Sequence, residues 1–317
     1  MPSHDAEPLP VVVNRSGGTA ASLGGALADR IRDAFAAAGQ TIDLQLVAGD
    51  ELDKIVRGLK AAPVIVIGGG DGTISGAATA RVETGGGTLG ILPLGTRNHL
   101  ALELGIPADL AAAAAAIVAG HVRRIDLATA NDAGFVNNAS VGLYPLLVRW
   151  RDAERNNGLP KWLATLPATW AALRRLPHHR LRLIGNGTAK PVVTPLLFVG
   201  NNRYTLERGQ IGKRIALDDG LLSVFAVGAR SRAGLVWLAV KTMFGFSDPE
   251  SDFAVIGDSA GFTVSSAAPM IDVALDGEVR RMSTPLTFGV RPGAIAVIVP
   301  ADDRTRQPAL ASGDSAA

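Results

Sequence analysis

Cysteine is absent from the 317-residue chain, which excludes a disulfide framework and any thiolate metal site. A long apolar run is absent as well. The longest, Leu110–Ala119, falls well short of the roughly 18 to 20 residues that a membrane-spanning helix requires. The opening MPSHDAEPLP has neither the basic start nor the apolar stretch of a secretory signal. These absences predict a soluble protein of the cytoplasm. A strong charge excess is missing too. The net charge is +2 although the isoelectric point is near 9.1, and a dedicated nucleic-acid binder would carry a denser basic field. No internal repeat is visible.

What is present is enough apolar material, 47% against 19% charged residues, to bury a sizeable core in a chain long enough for two domains. Residues 1–8 and 303–317 are small, polar and unpatterned, and both ends are expected to be loose. The bases are locally bunched: Arg149, Arg151, Arg155, Lys161, Arg174, Arg175, Arg180 and Arg182 are interleaved with Trp150, Trp162 and Trp170. Two readings stand for that region. It is a solvated helical face, or it is a surface that rests on anionic lipid headgroups.

Strand and helix signals alternate as far as residue 126. LPVVVN (9–14), IDLQLV (42–47), VIVIGG (64–69) and TLGILPLG (88–95) read as strands. Residues 19–39, 49–60, a stretch from about Thr73, 98–104 and the alanine-rich 108–120 read as helices. This order predicts a parallel sheet with helices on both faces. After Asp126 short apolar runs alternate with turns, among them RIDLATA, GFVNNASVG, HRLRLIG, TPLLFVGNN, FTVSS, IDVALDGE and LTFGVRPGAIAVIVP. They predict a mainly antiparallel β-sandwich, interrupted by helical patterns at roughly 145–176 and 231–246. The expected architecture is an α/β domain over 1–126 and a β-sandwich domain over 127–302. The last strand is free to return to the first domain, residues 303–317 form a disordered tail, and the site lies in the cleft.

The stretch VIVIGGGDGTISGAAT, 64–79, carries the most chemistry. Glycines after a strand let the backbone approach a ligand without a Cβ in the way. The free N–H groups of the following helix face the same place, which makes a phosphate-binding arrangement. A carboxylate there opposes direct phosphate contact. Asp71 is therefore open between two roles: capping the helix, or holding a Mg²⁺ ion that lies between it and the phosphate. The turn at 92–107, LPLGTRNHLALELGIP, repeats the device with strand end, glycine, hydroxyl, amide and helix. Two such turns side by side would grip a nucleotide at the carboxyl ends of a parallel sheet.

Gly69–Thr73 resembles the GGDGT signature shared by diacylglycerol-kinase-type lipid kinases, NAD kinases and phosphofructokinases. Pro93, Gly95, Thr96 and Asn98 resemble the P-x-G-T-x-N signature of the diacylglycerol kinase catalytic family. FVNNASVGLYP (135–145), LDDGLLSV (217–224), VALDGE (273–278) and RPGAIAVIVP (291–300) follow in that family's order. The resemblance implies an ATP- and Mg²⁺-dependent kinase acting on the primary hydroxyl of a diacylglycerol-like lipid, with ceramide or a sphingoid lipid as the rival acceptor. A soluble-metabolite kinase of the NAD kinase sort is the more distant rival, since it would keep GGDGT but lack the second turn and the terminal DGE. A substrate that lives in a bilayer, taken with the basic, tryptophan-rich region, predicts peripheral contact with an anionic membrane surface; the low net charge predicts no nucleic-acid partner, and a homodimer is left open.

By the same resemblance Gly69, Gly70, Asp71, Gly72 and Thr73 form the nucleotide and catalytic Mg²⁺ loop. Asn14, with Gly17 in the turn after the first strand, and Gly95, Thr96 and Asn98 lie on the nucleotide side. Glu278 matches the proposed general base, with Asp71 beside the reaction. The Asp219 carboxylate and carbonyls near Ala216 and Leu221 match a structural Mg²⁺ loop. Arg97 and Asp276 are candidates for substrate or phosphate contact. Read on spacing alone, Asp276-Gly277-Glu278 is also a common hairpin turn, Asp218-Asp219 a plain acidic turn, and His99 a helix-start residue. His178-His179 lacks the spacing of a helical metal pair. The chain departs from the family pattern at Arg15, Arg97 and His99, and in lacking a threonine after the second strand.

Overall fold

Val11, Val12 and Val13 are consecutive and all fully buried, so their strand is covered on both faces, as parallel strands are. The computed structural model describes residues 7–142, 179–185, 187–204, 214–227 and 253–301. Its first strands are β1 (Leu9–Asn14), β2 (Ile42–Val47), β3 (Val64–Gly69) and β4 (Thr88–Pro93), which run parallel in the order β2-β1-β3-β4. Helices α1 (Gly18–Leu23), α2 (Leu27–Ala37), α3 (Gly49–Gly58), α4 (Asp71–Glu83), α5 (His99–Glu103) and α6 (Leu110–Ala119) connect and cover them. Helix α2 packs on α6, and α3 on α4. The alanines of α6 serve close packing, with Ala113 and Ala114 fully buried.

The helix expected over 19–39 is two helices. Gly24 takes φ 52 and a short 3₁₀ turn, Gly24–Ala26, joins them, because two adjacent glycines remove the steric bias that would carry the helix through. The helix after β3 begins at Asp71, two residues before the expected start. The Ile74 amide already donates to the Gly70 carbonyl at 3.0 Å.

The chain continues as β5 (Val122–Ala130), β6 (Ala133–Phe135), β7 (Asn138–Gly142), β8 (His179–Gly185), β9 (Thr188–Thr194), β10 (Leu196–Asn201), β11 (Leu222–Val227), β12 (Phe253–Ser259), β13 (Gly261–Ser266), β14 (Met270–Leu275), β15 (Glu278–Ser283) and β16 (Leu286–Ile298). Strand β16 pairs with β13 through Leu286–Gly289 and lies parallel to β4 at Ala296 and Val297. One sheet therefore runs β2-β1-β3-β4-β16-β13-β8-β9, with β5 and β6 alongside. A second, β12-β11-β10-β7-β14-β15, packs against its antiparallel part. Phe135, Val141, Leu197, Val199, Val273 and Phe288 fill the space between them. Residue 126 falls within β5.

Three strands among the described residues escaped the hydrophobic pattern. TAKPVVT (β9) and EVRRMS (β15) are edge strands and mostly exposed, so half-burial leaves no alternation to read. FAVIGDS (β12) is the edge opposite β15. The run GFVNNASVG is interrupted at 136–137, where the backbone amides turn to a carboxylate described below. Of the bunched bases, Arg180 and Arg182 lie exposed on β8, alternating with buried Leu181 and Leu183. The other bases and Trp150, Trp162 and Trp170 lie outside the described residues, as do His178, the helical patterns at 145–176 and 231–246, and residues 303–317. Among the described residues no helix is long and apolar enough to cross a membrane.

Arg81 of α4 is 1% exposed. Its guanidinium donates to the Leu59 carbonyl at 3.1 Å and the Ala62 carbonyl at 2.7 Å, satisfying the chain just past the end of α3. Burial lowers its pKa. Arg81→Ala removes those donors and leaves a large cavity, so a loss of about 3 kcal/mol is expected. Urea unfolding measures it. A loss under about 1 kcal/mol would mean that water replaces the guanidinium.

Candidate active site

The loops after β1, β3 and β4 meet at the carboxyl edge of the sheet. They touch backbone to backbone. A Cβ at Gly95 would overlap Gly70 Cα, and one at Gly18, which has φ +55, would lie 2.7 Å from the Gly95 backbone. The Leu94 and Gly95 amides both donate to the Gly69 carbonyl at 3.1 Å, and the Thr19 amide to the Leu94 carbonyl at 2.9 Å. The glycine this contact requires in the first loop is Gly18, while a Cβ at the neighbouring Gly17 would meet nothing within 4 Å.

Asn14 and Thr73 come together. Asn14 Nδ2 donates to Thr73 Oγ1 at 3.1 Å, fastening β1 to α4. Asn98 takes φ 50 and shapes its own loop. Its Oδ1 accepts from the Gly95 amide at 2.8 Å, and its Nδ2 donates to the Pro93 and Gly95 carbonyls at 3.1 and 3.0 Å. Thr96, Arg97 and His99 are exposed near the tip of that loop.

Asp71 does cap a helix, but not the one it starts. Its two carboxylate oxygens accept from the His99 and Leu100 amides, each at 3.0 Å, so it holds the first turn of α5. That leaves the N-terminus of α4, a helix of 13 residues, with no side-chain cap. Its open end carries the partial positive charge of the helix dipole.

The residue that faces this end is Glu278. It follows the Asp276-Gly277 turn between β14 and β15 and lies directly on Gly72. A Cβ at Gly72 would overlap Glu278 Oε1 and come within 2.7 Å of its Cδ. A side chain at position 72 would displace the carboxylate from this seat. Arg280, two residues along β15, pairs with Glu278 at 3.6 Å. Both line a groove of about 920 Å³ whose other walls include Asn14, Thr73, Gly76 and Asp50.

Asp276 is turned away from the groove. At φ 47 its carboxylate accepts from the Val136, Asn137 and Asn138 amides at 2.7, 2.8 and 3.0 Å. Burial pushes its pKa up to about 6 against the opposing pull of those three amides. It fixes the turn from which Glu278 projects.

Ala216, Asp219 and Leu221 lie on another loop and do not line the groove. Asp219 is exposed, and its amide donates to Asn202 Oδ1 at 2.8 Å. The carboxylate that organises this loop is Asp126, 1% exposed, which accepts from the Gly220 and Gly293 amides at 2.7 Å each. Among the described residues no group of three or more His, Asp or Glu side chains is placed to hold a metal ion.

Sequence reasoning missed Asp126 and Arg214. Arg214, with its side chain 2% exposed, pairs with Glu103 of α5 through Nε at 2.8 Å and reaches Asn137 Oδ1 at 2.9 Å. The signal for Asp126 was present: a carboxylate inside the apolar run RIDLATA must be buried and therefore partnered. No comparable signal existed for Arg214, whose partner stands 111 residues away.

Residues 8–130 match the diacylglycerol kinase catalytic domain. The match covers less than half of the chain. Over 80 residues it is 51% identical to a protein of Klebsiella pneumoniae (strain 342) named "Probable lipid kinase YegS-like", covering 25% of this chain and 27% of that one. Over 163 residues it is 29% identical to "Probable lipid kinase YegS" of Salmonella gallinarum, covering 50% and 54%. The chain spans between about a quarter and three fifths of the length of the curated relatives it matches. Its fold is shared with a diacylglycerol kinase of Bacillus anthracis str. Sterne, at TM-score 0.65 and 22% identity over 94% of this chain and 99% of that one. The shared fold takes in both parts of the chain: the parallel α/β half with its glycine loops, and the mostly antiparallel half that carries Glu278.

Proposed function

We propose that the protein is an ATP- and Mg²⁺-dependent lipid kinase that phosphorylates the primary hydroxyl of a diacylglycerol-like lipid. The observation that carries this reading is the seat of Glu278 on Gly72, at the uncapped N-terminus of α4. A base beside an anion site is the arrangement that phosphoryl transfer from a nucleotide to an alcohol needs.

The donor's terminal phosphate accepts from the Gly72 and Thr73 amides, and Asn14 holds the Thr73 hydroxyl in place. The lipid hydroxyl oxygen attacks the terminal phosphorus, the bond from that phosphorus to the bridging oxygen breaks, and ADP leaves. The hydroxyl proton passes to Glu278 Oε. Mg²⁺, when bound, neutralises phosphate charge. Each Asp71 oxygen accepts a single amide and keeps a free lone pair, so Asp71 is the residue that would hold the ion with phosphate oxygens and water. The Asp219 carboxylate and the Ala216 and Leu221 carbonyls are hard oxygen donors suited to a second, structural Mg²⁺.

The protein is incubated with Mg-ATP and mixed micelles of diacylglycerol, ceramide or sphingosine, with NAD as a soluble control, and the products are weighed by mass spectrometry. A phosphate added to diacylglycerol is the expected result. Phosphate on ceramide or sphingosine alone would reassign the acceptor. Phosphate on NAD alone, or none at all, would end the lipid kinase reading.

A further inference from the structure

Residues of α4 and β15 both line the groove beside Glu278. Glu278 lies on Gly72. The β5–β6 hairpin touches both elements: Ser75 of α4 donates to the Gly134 carbonyl at 3.1 Å, Gly134 lies against Thr79, and Asn131 of the same hairpin donates to the Ser283 carbonyl at 3.3 Å. Gly76 has no side chain, and nothing lies within 4 Å of where its Cβ would be. Arg280 lines the same groove as Gly76, and its guanidinium lies 3.6 Å from the Glu278 carboxylate, close to the seat of that carboxylate on Gly72.

The groove has three arginines, and they are not equivalent. Arg57 is neutralised twice, by Asp53 at 2.7 Å and Glu83 at 2.6 Å. Arg281 stands opposite Asp272 in the β14–β15 register. Arg280 faces Glu278 across 3.6 Å with its side chain 51% exposed, and an exposed pair of this kind holds weakly enough to yield to a phosphate. Asp53 and Glu83 outweigh Arg57 by one charge and Asp50 adds another, so the α3 and α4 walls repel a polyphosphate from their side of the groove. Charge along the groove thus directs phosphates toward β15.

We propose that Arg280 is a substrate-contacting residue that binds the terminal phosphate of the donor. The assignment rests on the kinase reading of the groove. Its pairing with Glu278 gives it a second property. When Glu278 takes the proton of the attacking hydroxyl, the charge opposite Arg280 disappears. The guanidinium then acts undivided on the phosphoryl oxygens, at the step where their charge must be stabilised.

Binding of ADP and of a non-hydrolysable ATP analogue, each with Mg²⁺, is measured by calorimetry on the wild type, Arg280→Gln and Arg280→Lys. Arg182→Gln, exposed on β8, serves as a control of equal net charge change. Loss of a charge-assisted hydrogen bond to the terminal phosphate should weaken the analogue about 10- to 100-fold in Arg280→Gln. ADP, which lacks that phosphate, should stay within about twofold. Arg280→Lys should recover part of the loss, and Arg182→Gln should behave as wild type. Equal weakening of both nucleotides in Arg280→Gln, or of neither, overturns the assignment while leaving the kinase reading intact. A wild type that binds neither nucleotide overturns both. Thermal melting of each variant, expected to be unchanged for a half-exposed side chain, separates these outcomes from loss of fold.

Discussion

Glu278→Gln should lower lipid kinase turnover by roughly 10² to 10⁴-fold, the loss that follows removal of a positioned general base. The substitution keeps the size of the side chain and its seat on Gly72 but removes its capacity to take a proton. It also removes a negative charge from the anion site at the start of α4 and frees Arg280 from its pair at 3.6 Å. Affinity for an ATP analogue should therefore be unchanged or tighter while turnover collapses. Turnover and analogue binding measured on the same variant test both halves of the expectation. A surviving rate would reduce Glu278 to a turn residue. Asp276 could not take its place, because its oxygens are held by three backbone amides.

Asp71→Asn should lower turnover by at least about 100-fold, the scale of losing one preorganised electrostatic group. Unlike Glu278→Gln, it should also cost stability. An amide in place of the carboxylate keeps one acceptor for the His99 and Leu100 amides and turns an NH₂ group toward the other. One charge-assisted hydrogen bond is lost, worth about 1.5 to 3 kcal/mol, and α5 loses half of its cap. The measurements are turnover at saturating donor and the midpoint of urea unfolding. A folded Asp71→Asn protein with near-normal turnover but lowered stability would confine Asp71 to capping α5, and the residue that holds the donor's metal would have to be sought elsewhere.

The helix-capping role of Asp71 illustrates where sequence reading stops. GGDGT announces a strand, a glycine turn and a helix, and those three were legible because each is a local preference of the backbone. That an aspartate in this turn would cap α5 and not α4 depends on how two loops, 28 residues apart, pack on each other. In the same way, the hairpin signal in Asp276-Gly277 was plain. The use of Asp276 to gather three amides 138 to 140 residues earlier in the chain was not, and it is what breaks GFVNNASVG into two strands.

By itself the sequence determined the class of each half, the places of β1, β3 and β4, the glycine loops at their ends and Glu278 as a residue at a strand terminus. Each of these follows from periodicity, from the backbone freedom of glycine or from a short motif read in order. Tertiary structure alone decided that Glu278 lies on Gly72, that Arg280 shares its groove, and that Asp126 and Arg214 are buried. It also decided that β16 lies beside β4 in one half and β13 in the other. Most of these contacts join residues far apart in the chain, Glu278 and Gly72 or β16 and β4 by some two hundred positions. Which side chain meets which across that distance is set by the register of β14 on β7 and by the packing of α4 against β6, and neither leaves a mark on the local pattern.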